Sequence, residues 1–149
     1  DLPHGREVLR GEKSVSGNVL IIDEEGGWSA ISLAETLAAR ADVAKVTVAT
    51  TEVTWGEADL TFTRELPAIT ARIREAGIDV VAAAVVEEIT SGSVKTRDGR
   101  SLGPFDSIVL ATGTVATEFP EGGHGVGDCL SPRGIWAATH DAAKLARTL

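Results

Sequence analysis

The sequence predicts an α/β fold: a Rossmann-like three-layer domain with a central parallel sheet and a small antiparallel β insert. Three observations predict it. NVLIID (18–23) is a short continuous apolar run, the pattern of a strand covered on both faces. After a glycine pair, WSAISLAETLAAR (28–40) repeats apolar residues at helical spacing, and KVTVAT (45–50) is again a β-branched strand. A strand–helix–strand unit of this length is expected to cross over right-handed and to leave its strands parallel. The third observation is DSIVLATG (106–113), a further buried strand ending in a turn.

The remaining elements follow in chain order. Residues 1–17 are polar, carry Pro3, Gly5, Gly11 and Gly17, and read as a lead-in with one short helix around Glu7–Arg10. In the first crossover helix Ile31, Ala34, Leu37 and Ala38 form the apolar face. A second helix is predicted over 62–76, with Leu66, Ile69 and Ile73 on one face, Pro67 tolerable in its first turn and Gly77 as its stop. IDVVAA (78–83) and VVEEIT (85–90) read as strands, and 93–102 as a hairpin turning at Asp98–Gly99. The stretch 114–133 is Gly- and Pro-rich loop. The last helix, 135–149, is expected to bury Ala138, Ala142, Leu145 and Ala146, with Trp136 in the core. The expected organisation is therefore a lead-in (1–17), a Rossmann-like NAD(P)-type domain (18–113) and a return segment (114–149).

Composition narrows the function classes. The chain has 149 residues, 43% hydrophobic and 24% charged, as an ordinary globular domain has. No apolar run is long enough to span a bilayer, and no membrane partner is expected. A net charge of −8 opposes a polyphosphate backbone, so no nucleic-acid partner is expected either. The single cysteine, Cys129, excludes an internal disulfide and a cysteine-held iron–sulfur cluster, and fits a reducing, cytoplasmic setting. The chain has no methionine and begins with Asp1, so a processed chain or a piece of a longer one is expected.

In a dinucleotide-binding fold the first strand runs into G-x-G-x-x-G, whose glycines admit a diphosphate to the N-terminus of the next helix. Here the three glycine positions hold Asp23, Glu25 and Trp28, with Gly26 and Gly27 between them. A carboxylate about 5 Å from a phosphate charge costs roughly 3 kcal/mol at an effective dielectric near 20. The helix end returns about 0.3–1 kcal/mol, at most about 2. Repulsion wins unless the acids point away or a cation intervenes. Two readings stand: the acids cap the helix in place of a bound anion, or an adenine-nucleotide site survives in altered form around Asp23, Gly26 and Gly27, with Gly113 after the later strand. At the end of the second strand Thr50 and Thr51 replace the usual ribose-binding acid. Glu52, one residue on, is a ribose contact or a solvated loop acid.

VLIIDEEGGWSAISLAETLA, VTVAT, DSIVLATG and GVGDCLSPRGIWAATHDAAKLA together resemble the C-terminal region of the NADH:flavin oxidoreductases, the trimethylamine dehydrogenase, histamine dehydrogenase and 2,4-dienoyl-CoA reductase group. The likeness runs from about residue 5 onward, and G-D-C-x-x-P-R (127–133) before an alanine-rich helix is its most specific part. The resemblance implies a larger enzyme, with FMN and an iron–sulfur cluster on a barrel outside this sequence. It also implies two Rossmann-like domains, the outer one holding FAD or ADP. This chain then corresponds to the inner domain and the final return of the outer one. Gly127 and Asp128 would touch the cofactor's ribose or ribitol, and the turn near Arg133 would face its pyrophosphate. The departure at Asp23, Glu25 and Trp28 argues against NAD(P)H binding.

The implied partners are the remainder of the flavoenzyme and an adenine nucleotide, with a homo-oligomer left open. The other chemistry-bearing residues point nowhere more specific. His4, His124 and His140 lack metal-ligand spacing, and His140 is expected to be solvated. Cys129 reads as a buried small hydrophobe, and Trp55 as a domain-contact residue in a loop. Arg133 either contacts a cofactor phosphate or pairs with an acid nearby. With no nucleophile constellation and no acid–base pair, the chain alone is not expected to be catalytic. The function expected is an accessory nucleotide-binding-like domain of a flavin-dependent oxidoreductase. The alternative is a structural or interaction domain with a degenerate dinucleotide site.

Overall fold

The computed structural model describes residues 2–116, 118 and 121–148, without the side chain of residue 58. It divides into two units, 1–112 and 113–149, each described by itself.

The first unit is built on a four-stranded parallel sheet. Its strands are β1 (Gly17–Asp23), β2 (Val43–Thr50), β3 (Asp79–Val81) and β7 (Ser107–Ala111), in the order β3-β2-β1-β7. NVLIID lies at the centre as predicted, because it is apolar on both faces. Val19 and Ile21 enter one core cluster, Leu20 and Ile22 the other, and none is more than 3% exposed. The first cluster is closed by helices. α2 (Trp28–Ala38) gives Ala30, Ile31, Leu33, Ala34 and Leu37, while α4 (Leu66–Glu75) gives Ile69 and Ile73. The second is closed by a small antiparallel sheet of β4 (Val86–Thr90), β5 (Ser93–Thr96) and β6 (Ser101–Leu102). The layers are thus helices, parallel sheet, antiparallel insert. This is the α/β, Rossmann-like class expected.

Several local expectations need correction. The single helix expected over 62–76 is two: α3 (Glu57–Thr63) and α4. Arg64 between them has φ 60°, a left-handed turn that ends α3, and Pro67 then sits in the first turn of α4. The lead-in is more than a lead-in. After α1 (Gly5–Leu9), Val15 is buried with Val8, and the Leu110 amide donates to the Pro3 carbonyl at 2.9 Å, so the start of the chain borders β7.

The second unit holds a one-turn 3-10 helix, Gly127–Cys129, and α5 (Ile135–Leu145). Gly127 has φ +64°, and a Cβ there would lie 2.5 Å from that of Ala138, so this glycine lets the turn lie against α5. The buried face expected for α5 is only partly realised. Ala137 is buried, Ala138 and Leu145 are half-buried, and Ala142 and Ala146 are exposed. Trp136, expected in the core, is 79% exposed and stacks on His140, with ring centroids 5.7 Å apart. Among the described residues of this unit, the element α5 packs on is the 3-10 turn, which covers too little of it.

Candidate functional site: a glycine turn filled by carboxylates

The carboxyl ends of β1 and β7 lie side by side, and β1 leads through residues 24–27 into α2. This is the crevice where open α/β sheets receive ligands. Asp23, the last residue of β1, is fully buried. Its Oδ1 accepts from the amides of Glu25 (3.1 Å) and Gly26 (3.0 Å), and its Oδ2 accepts from the Trp55 indole Nε1–H at 2.7 Å. Three donors converge on one carboxylate with no solvent exposure. That is how a buried charge is tolerated.

A second acid comes from the far side. Glu52, just after β2, accepts from the Gly56 amide at 2.7 Å through Oε2. Its carboxylate lies against Gly26, where a Cβ would overlap it, and Gly26 holds φ +66°. A Cβ on Gly27 would come within 2.5 Å of Asp59 Oδ2. The two glycines therefore make room for this chain's own carboxylates.

The acids do not cap α2, which corrects one of the two readings left open above. Its N-cap is Gly27, extended at φ −114°, with no side-chain hydrogen bond. Asp23 is too early in the turn and reaches only the Glu25 and Gly26 amides. Glu52 is neither a free loop acid nor set out as a ribose contact, since it is drawn over Gly26. Trp55, expected to contact another domain, is 6% exposed and belongs to the core. Trp28 opens α2 and is 39% exposed. The Trp55–Asp23 pair and Asp59 were missed in the sequence. Their spacing is long-range, and only a tryptophan beside a glycine in an otherwise polar loop hinted at an anchored segment.

A cavity of about 230 Å³ remains on the β7 side of the crevice, between α1, α2 and Ala111, with Glu25, Ser29 and Ser32 on its wall. His4 caps α1 and also borders it. Its Nδ1 accepts from the Arg6 amide at 3.3 Å, and its Nε2 is buried without a partner.

The other expected site residues lie in the second unit. Gly113 opens it at φ +85°. Gly127, Asp128 and Arg133 are brought together. Asp128 Oδ1 accepts from the Arg133 and Gly134 amides at 3.0 and 3.1 Å, and these bonds hold its carboxyl below the usual aspartate range. The Arg133 guanidinium pairs with Asp141 at 2.6 Å, and the same Asp141 oxygen accepts from the Gly127 amide. Arg133 thus takes the local-acid pairing, one of its two expected roles. Cys129 is half-buried and donates to the Val126 carbonyl. No group of three His, Cys, Asp or Glu among the described residues is placed to hold a metal ion. Nor is any described helix long and apolar enough to cross a membrane.

A family model described as the OYE-like second alpha/beta domain matches residues 4–102. Among solved structures, 6-hydroxypseudooxynicotine amine oxidase from Pseudomonas geniculata N1 is 28% identical at a TM-score of 0.79, over 96% of this chain and 24% of its own. Histamine dehydrogenase from Rhizobium sp. 4-9 is 19% identical at a TM-score of 0.78, over 99% of this chain and 26% of its own. A 2-naphthoyl-CoA reductase is likewise 19% identical at 0.74, over 99% and 23%. The chain thus spans about a quarter of each of these proteins. No curated protein sequence matches it. The resemblance read from the G-D-C-x-x-P-R stretch and the D-E-E-G-G turn agrees with these findings.

Proposed function

Because the chain belongs to the family of OYE-like second alpha/beta domains, we propose that it serves as the accessory α/β part of a flavin-dependent oxidoreductase whose redox centre lies outside this sequence. Its first dinucleotide turn receives no nucleotide. The observation that carries this is the buried Asp23 carboxylate, which takes the amides of Glu25 and Gly26 together with the Trp55 indole. A diphosphate would have to displace those bonds and stand beside Asp23, Glu52 and Asp59. Each carboxylate about 5 Å away costs roughly 3 kcal/mol at an effective dielectric near 20, beyond what a helix end returns. The residues do not fit NAD(P)H here.

The return segment is a separate matter. Gly127, Asp128 and the turn at Arg133–Gly134 are the residues that would meet the ribose and pyrophosphate of an FAD or ADP completed by other sequence. Exposed Asp128 supports the ribose contact; because it holds the Arg133 and Gly134 amides, the pyrophosphate contact would fall to the first amides of α5, which no side chain caps. The rest of the flavoenzyme is the partner. A flavin bound by the complete enzyme would supply the electron chemistry, while this chain's residues hold backbone and shape.

The test is turnover by the isolated chain with NADH or NADPH and a dye acceptor, alongside the absorbance of any retained flavin. No turnover and no flavin band are expected. Steady dye reduction at a rate proportional to chain concentration would overturn the proposal.

A further inference from the structure

The loop from Gly127 to Gly134 is held by two carboxylates in different ways. Asp128, near its start, is exposed, and its Oδ1 accepts from the Arg133 and Gly134 amides at the loop's end. Among the described residues, none donates a hydrogen bond to its Oδ2. Asp141 reaches the loop from α5. It is half-buried, and its Oδ2 accepts from the Gly127 amide at 3.2 Å and from Arg133 Nη2 at 2.6 Å. Ala138, against which Gly127 packs, lies three residues earlier on the same helix face. One carboxylate oxygen therefore grips both ends of the loop. It also decides where the Arg133 guanidinium goes. The Arg133 side chain is 50% exposed, and its own backbone amide already touches Asp128. Without Asp141 to turn to, the guanidinium would meet Asp128, and a cation there would take the oxygen that a hydroxyl needs.

The geometry points to Asp141 as a positioning residue, which anchors Gly127 and draws the Arg133 side chain aside, so that Asp128 presents its outer oxygen to a sugar hydroxyl of a nucleotide cofactor. This deepens the reading of the return segment as a cofactor contact and rests on it. Asp141 itself touches no ligand in this arrangement. Its effect passes through Asp128, and that separates it from a merely structural helix acid.

The pH titration of the Asp128 carboxyl, followed by carboxyl-carbon NMR, tests the role in the chain itself. Asp141→Asn keeps an oxygen for the Gly127 amide but no charge for Arg133. The Asp128 midpoint should move to lower pH, because a guanidinium settling on a carboxylate favours its charged form. Exchange of the Gly127 amide should change little. Asp141→Ala removes both contacts and should speed that exchange about tenfold as well. In an Arg133→Gln background there is no guanidinium to release, so Asp141→Asn should leave the Asp128 midpoint where Arg133→Gln alone puts it. An unmoved midpoint in Asp141→Asn overturns the proposal. So does a shift of equal size with and without Arg133, which would reflect the lost charge of Asp141 alone. Retention of ADP and of FAD by the complete flavoenzyme then separates the two readings. Asp128→Asn and Asp141→Asn should each weaken it about tenfold. No effect of Asp128→Asn contradicts the cofactor contact itself, and this proposal with it. An effect of Asp128→Asn with none of Asp141→Asn contradicts the positioning role alone.

Discussion

Replacing Asp23 by alanine strips the acceptor from three donors at once. The Glu25 and Gly26 amides and the Trp55 indole would be left inside the protein without it. Orphaning buried donors costs about 1–3 kcal/mol each before relaxation. Asp23→Ala is expected to lose about 3 kcal/mol in urea unfolding, with Trp55 emission shifted as its indole loses its partner. A loss under about 0.5 kcal/mol would mean that the carboxylate is not what organises the turn. Gly26→Ala carries two penalties, a positive φ and overlap with Glu52. It should destabilise by roughly 1–3 kcal/mol, and Glu52→Ala in the same background should recover part of that, because it removes the overlap but not the φ strain.

Among the elements, surface and core contributions separate clearly. The Arg72 guanidinium on α4 meets Glu35 on α2 through two hydrogen bonds, but its side chain is 52% exposed. Exposed pairs of this kind are worth about 0–1 kcal/mol, so Arg72→Ala should cost no more than that. Ile21→Ala in β1, fully buried, should cost about 2–5 kcal/mol by the same unfolding measurement. In the second unit the pH dependence has a definite sign. The Asp128 carboxyl is held down by the Arg133 and Gly134 amides, so its contribution is complete above the free aspartate value of about 4. It is lost as pH falls through the lower folded value. Following the Trp136 signal down from pH 6, the unit should weaken only below about pH 4, and Asp128→Asn should flatten that limb.

β1, α2 and β2 were legible in the sequence because apolar run length and helical period are local signals. The break between α3 and α4 was not, since Arg64 adopts a left-handed conformation that its residue type does not advertise. The chemical identity of the turn was half legible. Acids in place of glycines declared themselves at Asp23 and Glu25. Their partners, thirty or so residues away in the 52–59 segment, had no periodic signature.

Across the whole molecule, the same reasoning explains why the fold was easier to read than its ends. The first unit closes two cores around one sheet, and its pattern is self-contained. In the second unit Ile135 and Trp136 are 87% and 79% exposed, although a helix with this composition was expected to bury a face. Composition registers that a face is apolar but not what lies against it. The accessory role proposed above is a statement at this scale, and so is the claim that the chain keeps a nucleotide-binding plan while filling its first turn with carboxylates. The amide spectrum of the isotope-labelled chain during titration with NADH, and in parallel with ADP, tests that claim most directly. The resonances of Glu25, Gly26 and Gly27 should stay in place up to millimolar nucleotide. Saturable, co-ordinated movement of those three amides at micromolar concentrations would contradict it.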